Sequence, residues 1–331
     1  MGDENMAAAN YYSKDFEWDQ LRQEIENDPS LVHHLLPFPN PTTQNQDTLL
    51  SSPIEDSEAW NKFHTLHSTG NFFKERRYLL KEFPELASCG KCSTVLEVGC
   101  GNGSTALPIL RGNKSISLYA CDCSEEALER AKENIGAANI NLGKERFHPF
   151  QCDFSASGFP NWLVCTSCCG SFFQKQNVCS SDASCSQQDF SDPLISAKNN
   201  SCIGGVDFVT LIFTLSAVPL HRMRRAITEC FSVLKPGGLL LFRDYGLYDM
   251  AMLRFEPEQR VGYREYIRSD GTRSYFFCLD SVRDLFCGTG FTELELEYCC
   301  VHSVNRRNGK IMRRVWIHGK FQKPHVHIVA P

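Results

Sequence analysis

The sequence predicts an α/β protein: a doubly wound, mostly parallel sheet closed by an antiparallel hairpin strand at its carboxyl end. Three observations carry this. A short β-rich run, Thr94 to Val98, enters a turn with glycines at 99, 101 and 103. From Ser93 onward, β-rich and helical stretches alternate, as in a parallel sheet covered on both faces. The dipeptide Asn308-Gly309, a strong hairpin signal, separates the last two β-rich runs.

In chain order, Ser104 to Leu110 has helical spacing after the glycine turn, and Ser117 to Cys121 reads as a second strand. Ser124-x-x-Ala127 then opens a helix whose acidic first turn, Glu125 and Glu126, suits its dipole. Phe147 to Cys152 is a third strand and Val206 to Leu215 a buried fourth. A helix over His221 to Leu234 stops at Lys235-Pro-Gly-Gly238, and Leu239 to Phe242 makes a fifth strand. Leu279 to Cys287 is helical, and two strands follow, near Leu294 to Val301 and Arg313 to Phe321.

Composition sets the remaining boundaries. At 331 residues, 42% hydrophobic and 22% charged, the chain falls among folded globular proteins. The longest strongly apolar run, Phe208 to Val218, is about half of what a bilayer-spanning helix needs. The polar, acidic start has no secretory pattern, so the expected location is cytoplasmic, or also nuclear. Residues 1–58 hold 12 Asp and Glu against Lys14 and Arg22 and read as a loosely ordered acidic arm, with one short helix near Trp18 to Ile25. Residues 59–92 read as a helical segment, 93–324 as the main domain, and 325–331 as a tail. The Cys- and Ser-rich stretch at about 159–205 reads as a surface insertion. Its Cys165-x-x-Cys168 lacks a second clean pair or a histidine nearby, so no metal is expected among the 17 cysteines.

The glycine turn lies at the carboxyl edge of the sheet, where such folds bind nucleosides. Alone it fits NAD equally well. Glu97, two residues before Gly99, puts a carboxylate where a pyrophosphate is repelled and a cationic amino-acid group is welcome, which favours S-adenosylmethionine. Asp122 ends the second strand, the place from which a carboxylate takes both ribose hydroxyls. Asp153 ends the third strand and is expected at the adenine amine, with Phe154 and Ile212 walling the ring.

These motifs resemble the class I methyltransferases, with their Rossmann-like sheet, and more narrowly the methyltransferase-like family that forms 3-methylcytidine at position 32 of the tRNA anticodon loop. The closer match rests on His67-Ser-Thr-Gly-Asn-Phe-Phe-Lys-Glu-Arg76, Leu96-Glu-Val-Gly-Cys-Gly101, Ala120-Cys-Asp-Cys-Ser124 and Phe150-Gln-Cys-Asp153. Further on it rests on Leu211-Ile-Phe-Thr-Leu-Ser-Ala-Val218, Phe242-Arg-Asp-Tyr-Gly-Leu-Tyr-Asp249 and Asp270-Gly-Thr-Arg-Ser-Tyr-Phe-Phe277. The resemblance spans Trp60 to Pro324 apart from the insertion. It implies an aromatic pair that closes over the cofactor; Trp60 matches the first member, and His64 stands where a tyrosine is usual. It also implies a tRNA substrate and, for some members, a partner such as an aminoacyl-tRNA synthetase that selects the tRNA.

Cytosine N3 carries an in-plane lone pair, so its methylation needs an extruded base and an in-line approach rather than a general base. There is no Pro-Cys dipeptide for C5 chemistry and no Asp/Asn-Pro-Pro-aromatic motif for an exocyclic amine. At the end of the fifth strand, Arg243, Asp244 and Tyr245 are expected to line the transfer pocket. There Asp244 would take the cytosine amine and Tyr245 or Tyr248 would stack on the base; the equal alternative is a salt-bridged Arg243–Asp244 turn that only shapes the pocket. Lys74, Arg76, Arg77, Arg264, Arg268, Arg273, Arg306, Arg307, Arg313 and Arg314 are the candidate RNA contacts. The alternatives are a methyltransferase of a small molecule or protein side chain, and a non-catalytic binding module.

Overall fold

The computed structural model describes residues 14–38, 53–67, 74–90, 92–138, 146–164, 202–304 and 309–325. Its main sheet has seven strands in the order β3-β2-β1-β4-β5-β10-β9. These are β1 (Thr94–Val98), β2 (Ser117–Asp122), β3 (Phe147–Gln151), β4 (Val206–Ile212), β5 (Leu234–Tyr245), β9 (Thr292–Val304) and β10 (Ile311–Gln322). Strands β1 to β5 pair in parallel, and β10 runs antiparallel to both β5 and β9. Between β1 and β4 the strand order reverses direction, which opens a crevice at the carboxyl edge.

Period-2 alternation divides the sheet between two cores. Leu96, Val209, Leu240 and Phe242 point to one face, against Met223, Ile227 and Cys230 of the helix Leu220–Val233 and Val282 and Phe286 of the helix Leu279–Cys287. Their neighbours Val95, Phe208 and Leu241 point to the other face, against Leu79, Phe83 and Leu86 of two short helical turns and Ile109 and Leu110 of the helix Ala106–Gly112. In chain order the longer helices are α1 (Trp18–Glu26), α2 (Pro53–Leu66), α3 (Ala106–Gly112), α4 (Glu125–Ala137), α5 (Leu220–Val233) and α6 (Leu279–Cys287).

The expected elements are all present, with three differences. Strand β4 stops at Ile212 rather than Leu215, because Phe213 takes a left-handed φ of 55° and turns the chain. Strand β5 is longer than expected: the Pro-Gly turn is absorbed as a register shift opposite β4, and β10 extends the strand to Tyr245. A three-stranded sheet of β6 (Arg260–Gly262), β7 (Glu265–Ile267) and β8 (Arg273–Tyr275) was not foreseen; strands of three residues are too short to show a period.

The expectation of a loose arm does not hold over residues 14–38. Trp18, Leu21 and Ile25 recur at helical spacing on one side of α1, and Leu21 and Ile25 are buried among Leu247, Met252, Phe276 and Val315. The Trp18 ring stacks on Tyr298 at 4.6 Å, and its indole N–H donates to the Leu247 carbonyl at 3.2 Å. Lys14 pairs with Glu297 at 2.6 Å and Glu24 with Arg313 at 2.5 Å. Acidic composition concealed a narrow apolar stripe. Of the insertion cysteines, Cys165, Cys168, Cys169, Cys179 and Cys185 lie outside the described residues. Among the described residues no cysteine forms a disulfide, no side-chain cluster could hold a metal ion, and no helix is long and apolar enough to cross a membrane.

Candidate active site

A cavity of about 1280 Å³ opens at the carboxyl edge of the sheet, with α2 along one side. Its floor is the glycine turn. Gly99 has φ 67°, and a Cβ there would come within 2.4 Å of Thr214, so only glycine lets the end of β4 close against β1. At Gly101 (φ 51°) a Cβ would meet, among the described residues, only His64, at 3.8 Å; the space above this residue belongs to the cavity. Gly103 does not reach the wall and packs instead against Ala131 of α4.

Asp122 and Asp153 both lie on the wall, each held by main-chain donors. Asp122 accepts from the Gly101 N–H at 2.9 Å and from the Ser124 N–H at 3.0 Å. Asp153 accepts from the Ser155 N–H at 3.1 Å and hydroxyl at 2.8 Å, and its second oxygen takes the Ser57 hydroxyl at 3.0 Å. Phe154 and Ile212 also face the cavity. Glu97 does not: it is buried behind the turn, where among the described residues one oxygen has no hydrogen-bond partner and burial raises its carboxyl to about 8, against the Thr105 hydroxyl and the charge of Arg76.

Helix α2 brings Trp60, Phe63 and His64 to the wall. Burial lowers His64 from the ordinary imidazole value, with Asp122 and Glu126 opposing. The helix is held by Asp56, which pairs with the nearly buried Arg222 of α5 and, at 3.1 Å, with Arg273 of β8, and by Asn61, which accepts from the Ser124 hydroxyl at 2.9 Å. Asp56, Ser57 and Arg222 were not foreseen. Acidic composition had assigned the first two to the arm, and nothing in the pattern around Arg222 marked it.

At the opposite end, Phe213, Tyr245 and Trp316 form an aromatic wall, with Phe213 5.1 Å from Tyr245 and 6.2 Å from Trp316. Arg76 lies over Phe213 at 4.8 Å and Arg314 over Trp316 at 5.2 Å. Tyr245 therefore stands where expected, but its two predecessors do not. Arg243 is fully buried, 2.5 Å from Glu82 and stacked between Tyr78 and Trp316. Asp244 turns to the other face, accepting from the Ser216 N–H at 2.9 Å and the Tyr245 N–H at 2.8 Å; burial raises its carboxyl to about 6. Neither lines the cavity, and they do not pair with each other. Tyr248 packs on Trp18 of the arm at 5.8 Å.

The basic candidates separate likewise. Lys74, Arg76, Arg77, Arg268, Arg273 and Arg314 border the cavity, although Arg273 is clamped by Asp56 and Glu265 and Arg314 by Asp249. Arg264 is not on the wall; its guanidinium lies 2.8 Å from the Cys278 sulfur. Arg313 pairs with the arm at Glu24. Arg306 and Arg307 lie outside the described residues.

A nucleoside crevice at the strand-order reversal, open above Gly101 and bordered by two strand-end carboxylates, defines an S-adenosylmethionine-dependent methyltransferase of class I. The methyltransferase domain family matches residues 72–296. The human tRNA N(3)-cytidine methyltransferase METTL6 is 37% identical over 274 residues, covering 82% of this chain and 81% of that protein. The Drosophila melanogaster tRNA N(3)-methylcytidine methyltransferase Mettl2 is 33% identical, covering 80% and 70%. Among solved structures, the Burkholderia thailandensis 1,6-didemethyltoxoflavin-N1-methyltransferase with bound S-adenosylhomocysteine shares the fold at a TM-score of 0.51 and 13% identity, covering 87% of this chain and 94% of its own. The chain belongs to the tRNA N(3)-cytidine methyltransferase family.

Proposed function

We propose that this protein transfers the methyl group of S-adenosylmethionine to N3 of a cytidine in tRNA, at position 32 of the anticodon loop. The observation that carries the proposal is the division of one cavity into two ends. One end has acids at the edges of β2 and β3, suited to an adenosine; the other has Phe213, Tyr245 and Trp316, suited to stack a flipped base.

The cofactor supplies an electrophilic methyl group, and N3 already bears its lone pair, so no group on the wall is needed to take a proton from the base. The chain's part is to position. Asp122 suits the ribose hydroxyls, Asp153 the adenine amine, and Trp60 and His64 of α2 cover the nucleoside. Tyr245 and Phe213 hold the base flat, which favours the in-line approach. The exposed Lys74 and Arg77 and the wall residue Arg268 are placed to meet the RNA backbone outside the base pocket. We place this activity in the cytoplasm or nucleus. Where one tRNA is preferred, an aminoacyl-tRNA synthetase is a partner whose chemistry fits the selection.

The test incubates purified protein with total tRNA and methyl-labelled cofactor and analyses the nucleosides by mass. Labelled 3-methylcytidine, mapped to position 32, is expected. Label in another nucleoside, or in none with or without added synthetase, overturns the proposal.

A further inference from the structure

We propose that Arg76 anchors the carboxylate of the cofactor's amino-acid tail and is not an RNA phosphate contact. The inference rests on the reading of the cavity as an S-adenosylmethionine site and names the residue that recognises the end of the cofactor farthest from the adenine.

The strand order lays the cavity out as a line. Asp153 follows β3, Asp122 ends β2, the glycine turn follows β1, Phe213 follows β4 and Tyr245 ends β5. A nucleoside held at the first two positions places its sulfur and amino-acid tail over the β1–β4 step. Arg76 stands there: its backbone N–H donates to the Ser104 carbonyl at 2.9 Å beside the glycine turn, and its guanidinium covers Phe213. The guanidinium faces the cavity, and among the described residues its buried Nε has no hydrogen-bond partner. Its other contact is weak, 3.4 Å to the Tyr78 hydroxyl.

The other cations of the wall are placed elsewhere. Arg222 and Arg273 are engaged by Asp56 beside the adenosine end, and Arg314 is engaged by Asp249. Lys74 and Arg77 are exposed at the mouth. Glu97 of β1 and Asp244 of β5, two buried acids off the cavity wall, feel the charge of Arg76. Neither is within salt-bridge distance, so the fork is left for a bidentate carboxylate.

The test compares two ligands that differ at this end. S-adenosylhomocysteine carries the carboxylate; 5′-methylthioadenosine keeps the nucleoside and thioether and lacks it. By calorimetry, Arg76→Met is expected to weaken S-adenosylhomocysteine about 10- to 100-fold, the loss of one charged hydrogen-bonded contact. Methylthioadenosine should change less than about twofold, and Arg76→Lys should recover part of the loss. Equal weakening of both ligands, or of neither, overturns the assignment, as does a wild-type protein that binds the two alike. A wild-type protein that binds neither ligand overturns the cofactor reading itself.

Discussion

The guanidinium of Arg243 lies 2.5 Å from the carboxylate of Glu82, and both side chains are sealed from solvent. The same Glu82 oxygen is 3.0 Å from His318 Nδ1, whose Nε2 is 2.9 Å from Glu295. The pair thus fastens the short helical turn Leu79–Glu82 to β5 and β10 beneath the aromatic wall. Arg243 is a support for that wall. Removing one partner of a buried pair leaves an uncompensated charge, worth about 3–5 kcal/mol. Arg243→Met and Glu82→Gln are each expected to lower urea stability by that order. The double variant should recover part of it, and additive losses would show that the two side chains are not coupled.

Glu97 predicts an unusual slope of stability with pH. Burial raises its carboxyl from 4.5 to about 8 in the folded protein. Between those values the unfolded chain has released a proton that the folded chain keeps, so stability falls as pH rises through the window. Glu97→Gln should remove this loss, leaving a variant more stable than wild type at pH 7.5 and much closer to it at pH 4.5, read by urea unfolding without cofactor. If an ammonium binds beside Glu97, S-adenosylhomocysteine should also release a proton on binding near pH 7. Heats of binding that are the same in buffers of different ionisation enthalpy would exclude that contact.

Asp244 offers a separate test of position against chemistry. Its two oxygens take the main-chain N–H groups of Ser216 and Tyr245, and an asparagine amide would set a donor against one of them. Asp244→Asn is therefore expected to lower Tm and to weaken S-adenosylhomocysteine binding together with methyl transfer. A variant with unchanged Tm and cofactor affinity but a large loss in kcat would restore a direct role toward the base.

How much of this was legible in the sequence depended on what decides each feature. Strand β1, the glycine turn and α6 followed from local period and turn chemistry, and the strand-end acids Asp122 and Asp153 from their offsets. Depth along β5 did not. Arg243 and Tyr245 share one face of the strand, but Arg243 lies one pleat lower and is covered, while Asp244 turns away; residue type alone placed all three in the pocket. Phe213 carries no sequence signal of its own, because its left-handed backbone, which aims the ring into the cavity, has no glycine to announce it. Asp56 was hidden by its acidic neighbours, and its arginine partners are more than 160 residues away.

The docked arm makes Leu21 a core residue of the folded protein. It is 1% exposed among Tyr248, Met252 and Phe276. Leu21→Ala is expected to cost about 2–5 kcal/mol if the arm unfolds with the rest of the protein. Should the arm undock alone, limited proteolysis will cut near α1 while the Tm of the remaining fold holds. Cofactor affinity is expected to be unchanged in either case, since no residue of α1 borders the cavity.

Lys74 and Arg77 test the mouth of the cavity as an RNA surface. Both are exposed there, and the Arg77 side chain is 70% exposed with Glu75 at 3.7 Å, so truncation removes charge without opening the core. Each phosphate contact that releases a counterion contributes about 0.7–0.9 to the slope of log affinity against log salt. Lys74→Ala and Arg77→Ala should each reduce the slope for tRNA by about that amount and leave S-adenosylhomocysteine affinity unchanged. Arg313→Ala is the contrasting case, because Glu24 of the arm already neutralises that guanidinium and the residue does not border the cavity. It should move the slope little. Equal slopes for wild type and the Lys74 and Arg77 variants, or a larger change for Arg313→Ala, would shift the RNA path from the cavity mouth to the β9–β10 hairpin.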